Sequence, residues 1–130
     1  MAADRVILVV EDNDQNLELV EFLLEEAGWQ VIAARNADEA RTAWKSQPFT
    51  LVLMDMRLPD ADGTDLVREM RSDPALRQLP VIALTAHAMR GDRERFLAAG
   101  CSGYIAKPIR PATFLQEVEA FLPVPSKERS

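Results

Sequence analysis

The sequence predicts an α/β domain: five parallel strands in one doubly wound sheet, with five helices covering its two faces. Three observations predict it. Uninterrupted apolar runs, Arg5-Val-Ile-Leu-Val-Val10, Leu51-Val-Leu-Met54 and Leu79-Pro-Val-Ile-Ala-Leu84, read as strands buried on both faces. Between them the apolar residues fall at helical spacing, so strands and helices alternate, as right-handed crossovers in a parallel sheet require. The length, 130 residues, suits one domain with a core of its own.

Taken in order, the first strand ends on Glu11 and Asp12. Leu17, Val20, Leu24 and Ala27 then mark a helix that Gly28 stops. Trp29 to Ala34 is a short second strand. Asn36 with Glu39 resembles a capping box for a helix that buries Ala40, Ala43 and Trp44, closed by Gln47-Pro48. The third strand, 50–55, ends on Asp55. Pro59 keeps it from continuing as a central strand, and a polar loop, Pro59-Asp-Ala-Asp-Gly63, follows. The next helix turns Leu66, Val67 and Met70 inward and closes around Ser72-Asp73-Pro74. The fourth apolar run ends on Thr85. A helix over 90–99 with Phe96 and Leu97 inward stops at Gly100, and Gly103-Tyr-Ile-Ala106 is the fifth strand, followed by Lys107-Pro108. The last helix carries Pro111 in its first turn and packs Phe114, Val118, Phe121 and Leu122. The domain spans 1–122, and 123–130 is a short polar tail.

Composition excludes several classes of function. A net charge of −6 leaves no basic face for nucleic acid, so no DNA partner is expected. Arg90, Arg93 and Arg95 interleave with Asp92 and Glu94 as a solvated helix face. No apolar run reaches the roughly 20 residues of a spanning helix, and the first residues do not form a signal peptide, so a cytoplasmic protein without membrane contact is expected. The single cysteine, Cys101, reads as a small buried residue.

Parallel strands deliver their C-terminal residues to one rim, where ligands bind in open α/β sheets. Here those residues are Glu11, Asp12, Asp55, Thr85 and Lys107. Two unit charges ~4 Å apart repel by about 4 kcal/mol at an effective dielectric near 20, so three carboxylates require a neutralising partner. Mg²⁺ is the natural candidate. Carboxylate, cation, lysine and hydroxyl together suit phosphoryl transfer to Asp55.

Four motifs in order, Val-Val-Glu11-Asp12-Asn, Leu-Met-Asp55-Met-Arg-Leu-Pro59, Ala-Leu-Thr85-Ala-His and Tyr104-Ile-Ala-Lys107-Pro108, give the chain its family likeness. It resembles the CheY-like response-regulator receivers of bacterial two-component signalling over about residues 5–122. Single-domain receivers of the DivK type and those of hybrid histidine kinases are the most similar. The resemblance implies a flavodoxin-like (βα)5 fold with strand order 2-1-3-4-5. It implies that Asp55 accepts phosphate from a histidine kinase or a histidine phosphotransfer protein. Asp12, Asp55 and the backbone carbonyl of Arg57 would ligate Mg²⁺, with Glu11 supporting it through water. Lys107 would pair with the phosphoryl group, Thr85 would bond one of its oxygens, and Tyr104 would be the switch aromatic. The bond before Pro108 would be cis. The face of the fourth helix, fifth strand and fifth helix would signal to a downstream effector protein, as a monomer or weak dimer. Many relatives have Asp where this chain has Glu11. Arg57 and His87, each two residues past a site residue, stand where the family tunes phosphate lifetime.

Alone, each of these residues has a plainer explanation as a helix cap, solvated charge or packing residue, and His87 as an ordinary loop residue; their agreement at one rim favours the site. Asp60-Ala-Asp-Gly-Thr64 imitates the D-x-D-G-T signature of haloacid-dehalogenase-like Mg²⁺ phosphatases, but does not close directly on a strand. Asp12, Asp14 and Asn16 imitate an EF-hand start, but Leu17 and Leu23 occupy its glycine and glutamate positions. A flavodoxin-like FMN carrier would want a phosphate loop rich in Ser, Thr and Gly, where this chain has Glu11-Asp-Asn-Asp14. The expectation is a signalling protein rather than an enzyme, catalysing only its own aspartyl phosphorylation and dephosphorylation. Met1 and the tapering tail favour a stand-alone receiver over one excised from a hybrid histidine kinase or longer regulator.

Overall fold

In the computed structural model, which describes residues 5–86 and 90–122, strands and helices alternate throughout. They are β1 (Val6–Val10), α1 (Asp14–Glu26), β2 (Gln30–Ala34), α2 (Ala37–Ser46), β3 (Leu51–Asp55), α3 (Gly63–Arg71), β4 (Val81–Thr85), α4 (Arg90–Ala99), β5 (Gly103–Ala106) and α5 (Phe114–Glu119). A short 3-10 turn, Pro74–Leu76, joins α3 to β4. The strands pair in parallel in the order β2-β1-β3-β4-β5, as the sequence and its resemblance predict.

Every residue of β1, β3 and β4 is buried, which is why these strands are apolar without alternation. Side chains still alternate between faces. Ile7, Val9, Leu51 and Leu53 pack with Leu17, Val20 and Leu24 of α1 and Phe114 and Val118 of α5. Leu8, Val10, Val52 and Met54 pack with Trp44 of α2, Val67 of α3 and Phe96 of α4. The helices start on local caps. Asn13 Oδ1 accepts the Asn16 N–H at 2.9 Å, and Asn36 Oδ1 accepts the Glu39 N–H at 2.8 Å. Glu39 in return accepts from the N–H of Arg35, one residue before the cap. Gly28 and Gly100 end α1 and α4 with φ of 94° and 118°, a region that favours glycine.

Two expectations are corrected. Leu97 is 44% exposed, because the inward stripe of α4 runs through Phe96 and Ala99 and the next residue lies about 100° around the helix. Pro111 lies in a turn ahead of α5, where the amides of Thr113, the residue before the helix, and Phe114, its first, donate to the Arg110 carbonyl. Phe121 and Leu122 lie beyond α5 but still pack against the core. The first residues, His87 and the 123–130 tail fall outside the described residues.

Cys101 is buried, and burial pushes its thiol up to about 11 against the pull of Arg71. At pH 7 roughly one molecule in 10,000 then carries the reactive thiolate. A thiol reagent should label native Cys101 about 100-fold more slowly than the urea-unfolded chain, as followed by intact mass.

Candidate functional site

The C-terminal ends of β1, β3, β4 and β5 form a cleft of about 300 Å³, lined by Glu11, Asp12, Asp55, Arg57, Thr85 and Lys107 among others. Strand alternation sorts these residues. Glu11 continues the Ile7–Val9 side, Asp55 the Leu51–Leu53 side and Lys107 the Ile105 side, so all three share the face covered by α1 and α5. Thr85 continues Val81 and Ala83 on the opposite face, where Tyr104 packs half-buried. The carbonyl of Thr85 accepts the Lys107 N–H at 2.7 Å, which fixes the lysine to the end of β4. The Lys107–Pro108 peptide is cis.

Lys107 Nζ stands 2.8 Å from Glu11 Oε1 and 3.3 Å from Asp55 Oδ2. Glu11 is fully buried and Asp55 nearly so, whereas Asp12 is exposed at the rim. Glu11 Oε2 accepts the Asn13 N–H, and Asp55 Oδ1 accepts the Arg57 N–H at 3.0 Å. One oxygen from each of Glu11, Asp12 and Asp55 lies within 4.8 Å of the others. Burial raises the Asp55 pKa above the ordinary carboxylate range, and Glu11 raises it further; the Arg57 N–H and the Lys107 ammonium act in the opposite direction. Among the described residues three carboxylates face one ammonium, so the site retains room for a hard cation held by oxygens. The donor set fits Mg²⁺.

After Asp55 the chain folds back on itself. Arg57 pairs with Asp62 as an isolated bridge, and Leu58 N–H donates to Ala61 at 3.3 Å. Asp62 caps α3 by accepting the Thr64 N–H at 2.8 Å and the Thr64 hydroxyl at 2.6 Å. Asp60 accepts from the N–H groups of Ala37 and Asp38 at the start of α2. These bonds hold both carboxyls below the usual range. The two acids of the phosphatase-like signature are thus occupied as caps, outside the three-carboxylate group.

The structure brings Glu11, Asp12, Asp55, Arg57, Thr85 and Lys107 to one cleft and leaves Tyr104 on the other face. Sequence reasoning missed Gly63. A Cβ there would lie 2.6 Å from Met56 Cα and 3.0 Å from the Asp55 carbonyl oxygen, so the first turn of α3 presses directly on the strand end that carries Asp55. The only sequence signal was an Asp-Gly pair, which reads equally well as an ordinary turn.

The family model described as "Response regulator receiver domain" matches residues 7–119. The polar-differentiation response regulator DivK of Brucella anthropi is 39% identical over 116 residues, covering 89% of this chain and 94% of that protein. Among solved structures, the receiver domain of the sensor histidine kinase PA1611 from Pseudomonas aeruginosa is 38% identical with a TM-score of 0.82. The match covers 90% of this chain and 96% of that one, and that structure has a magnesium ion coordinated in its active-site cleft. The chemotaxis response regulator CheY4 of Vibrio cholerae superposes with a TM-score of 0.86 at 25% identity, covering 90% of this chain and 98% of its own.

Two measurements test this geometry. The folded Asp55 binds its proton more tightly than the unfolded residue does. Its contribution to stability is therefore full below the unfolded pKa of about 3.9 and is lost as pH rises through the raised folded value. In EDTA at pH 7, Asp55→Asn should raise the melting temperature by a few degrees, with the gain shrinking toward pH 4. Gly63→Ala should cost about 1–3 kcal/mol in urea unfolding, since backbone rather than a flexible side chain must move.

Proposed function

Because the chain belongs to the response-regulator receiver family, we propose that it is a phosphoacceptor in a two-component phosphorelay, taking phosphate onto Asp55. The observation that carries this reading is the group Glu11, Asp12 and Asp55, two of them buried, with their oxygens within 4.8 Å and, among the described residues, Lys107 alone set against them. The donor is the phosphohistidine of a histidine kinase or phosphotransfer protein. An Asp55 oxygen attacks phosphorus as the P–N bond breaks, and the imidazole leaves with the electron pair of that bond.

Asp12, Asp55 and the Arg57 carbonyl would hold Mg²⁺, with Glu11 supporting it. When bound, the ion offsets the carboxylate charge and that of the incoming phosphoryl oxygens. Lys107, already between Glu11 and Asp55, follows the new charge onto the phosphoryl group. The Thr85 hydroxyl donates to another of its oxygens. Phosphate adds about −2 charge and three acceptors, so the arrangement in which Thr85 and Lys107 both reach it gains population. Tyr104 is the aromatic that answers Thr85. The readout is the face of α4, β5 and α5, where exposed Leu97 offers apolar area to a downstream effector. Among the described residues no helix is long and apolar enough to cross a membrane; the cytoplasmic location we propose follows from its membership of the receiver family.

In keeping with its similarity to a DivK response regulator, the chain acts by protein contact as a single receiver, a monomer or weak dimer in our proposal. The similarity to the receiver of a sensor histidine kinase supports the second reading, a receiver belonging to a hybrid kinase.

Incubation with acetyl phosphate and Mg²⁺ should add the mass of one phosphoryl group, and Asp55→Asn or EDTA should abolish the adduct. An adduct that survives Asp55→Asn would place the acceptor elsewhere. Thr85→Ala should still be phosphorylated, while effector binding loses most of its response to phosphate; an unchanged response counts against coupling through that hydroxyl.

A further inference from the structure

The chain on either side of the proposed metal oxygens leans on the passage from β2 into the first turn of α2. Arg35 in that passage ion-pairs with Asp14, two residues past Asp12. From the other side Asp60, near the tip of the loop after β3, spreads its carboxylate over two amides of α2. Oδ1 accepts the Ala37 N–H at 2.8 Å and Oδ2 accepts the Asp38 N–H at 3.3 Å. These amides have no partner inside the helix. Asn36 already serves as the local cap through Glu39, so α2 does not rely on Asp60 to begin. The loop has backbone bonds of its own, the Arg57–Asp62 bridge, the Leu58–Ala61 bond and the 3.1 Å bond from Gly63 N–H to the Met56 carbonyl, and Leu58 and Ala61 rest partly buried against the core. Asp60 adds to that packing the polar tie that joins the tip of the hairpin to α2.

We propose that Asp60 is a positioning residue for the divalent cation: it braces the hairpin against α2 so that the Arg57 carbonyl stays in register with the Asp12 and Asp55 carboxylates. This rests on the reading above that those three groups hold Mg²⁺. Asp60 itself accepts from backbone on both oxygens and so acts through the loop, not as a ligand. The backbone bonds also hold its carboxyl below the ordinary range, so the brace persists across neutral pH. The sequence separation, 23 and 22 residues, makes the contact a tertiary one, set by the packing of α2 and α3 on the same face.

Calorimetric titration of Mg²⁺ into the full chain tests the brace. Asp60→Ala should weaken Mg²⁺ binding by roughly 3- to 10-fold, below the 10- to 100-fold typical of groups that bond a metal ligand directly. Asp60→Asn keeps an acceptor for Ala37 without the charge, and should recover affinity to within about twofold of the wild type. Asp73→Ala removes the cap of the 3-10 turn, where Asp73 accepts the Ala75 N–H at 2.9 Å, and serves as a control for the loss of a cap elsewhere. It should leave Mg²⁺ affinity unchanged even where urea unfolding shows an equal loss of stability. An Asp60→Ala variant that binds Mg²⁺ as the wild type does overturns the proposal. So does an Asp60→Asn variant as weak as Asp60→Ala, which would make the effect one of nearby charge. A wild type that binds no Mg²⁺ overturns the reading of the metal site, and this inference with it.

Discussion

Two carboxylates buried against the ammonium of Lys107 set the terms for the rest of this molecule. Glu11 and Asp55 both stand within ion-pair distance of Lys107, and neither can retreat to water. Removing an ion from water costs several kcal/mol, and one cation cannot compensate two anions, with Asp12 adding a third at the rim. The arrangement persists because the acids end strands whose other residues are packed on both faces. Moving either one outward would drag β1 or β3 with it. The apolar runs are therefore more than a core: they hold like charges at a spacing that water or a flexible loop would relax.

The same residue type does opposite things a few positions further on. Asp60 and Asp62 lie near Asp55 in sequence, yet hydrogen bonds to N–H and hydroxyl groups hold their carboxyls low, while burial and Glu11 push that of Asp55 up. Capping acids are at rest, since their charge is spread over amides that need an acceptor. The rim acids are under-compensated, and it is under-compensation that gives a site an appetite for a cation. This separates the phosphatase-like signature in the loop from the chemistry at the strand end. Spacing from the strand already set the signature apart in the sequence, and the structure adds where its two carboxylates go.

What was legible in the chain follows from how local each cause is. Strand burial, helix period, the Asn36 cap and the order of the rim residues all depend on neighbours within a few positions, and the sheet order followed from the family likeness. Leu97 failed because an apolar residue beside a core aromatic looks inward until the helix phase is fixed by Phe96 and Ala99. Gly63 and Asp60 were opaque for a different reason. Gly63 matters through a close approach to Met56, and Asp60 through amides 22 and 23 residues away, and both approaches exist only once α3 and α2 have docked on the same face of the sheet. Propensity carries no record of such contacts.

The alternation of side chains also constrains how an event at the rim reaches the surface. Glu11, Asp55 and Lys107 lie on the α1–α5 side, whereas Thr85 and Tyr104 belong to the α2–α4 side. A charge added at Asp55 cannot pass through the sheet, whose interior is packed hydrocarbon with no polar path. It has to pass around the end of a strand. The end of β4 is suited to that, because its last residue joins both sides: the Thr85 carbonyl holds the Lys107 backbone at 2.7 Å. Thr85 also lines both the rim cleft and a second cleft of about 280 Å³ shared with Asp92, Arg95 and Phe96 of α4. On the reading of this chain as a phosphoacceptor, one residue then touches the chemistry through its neighbour's lysine and the output helix through its own surroundings. A receiver sheet needs such a residue at a strand end, since only there do its two faces meet.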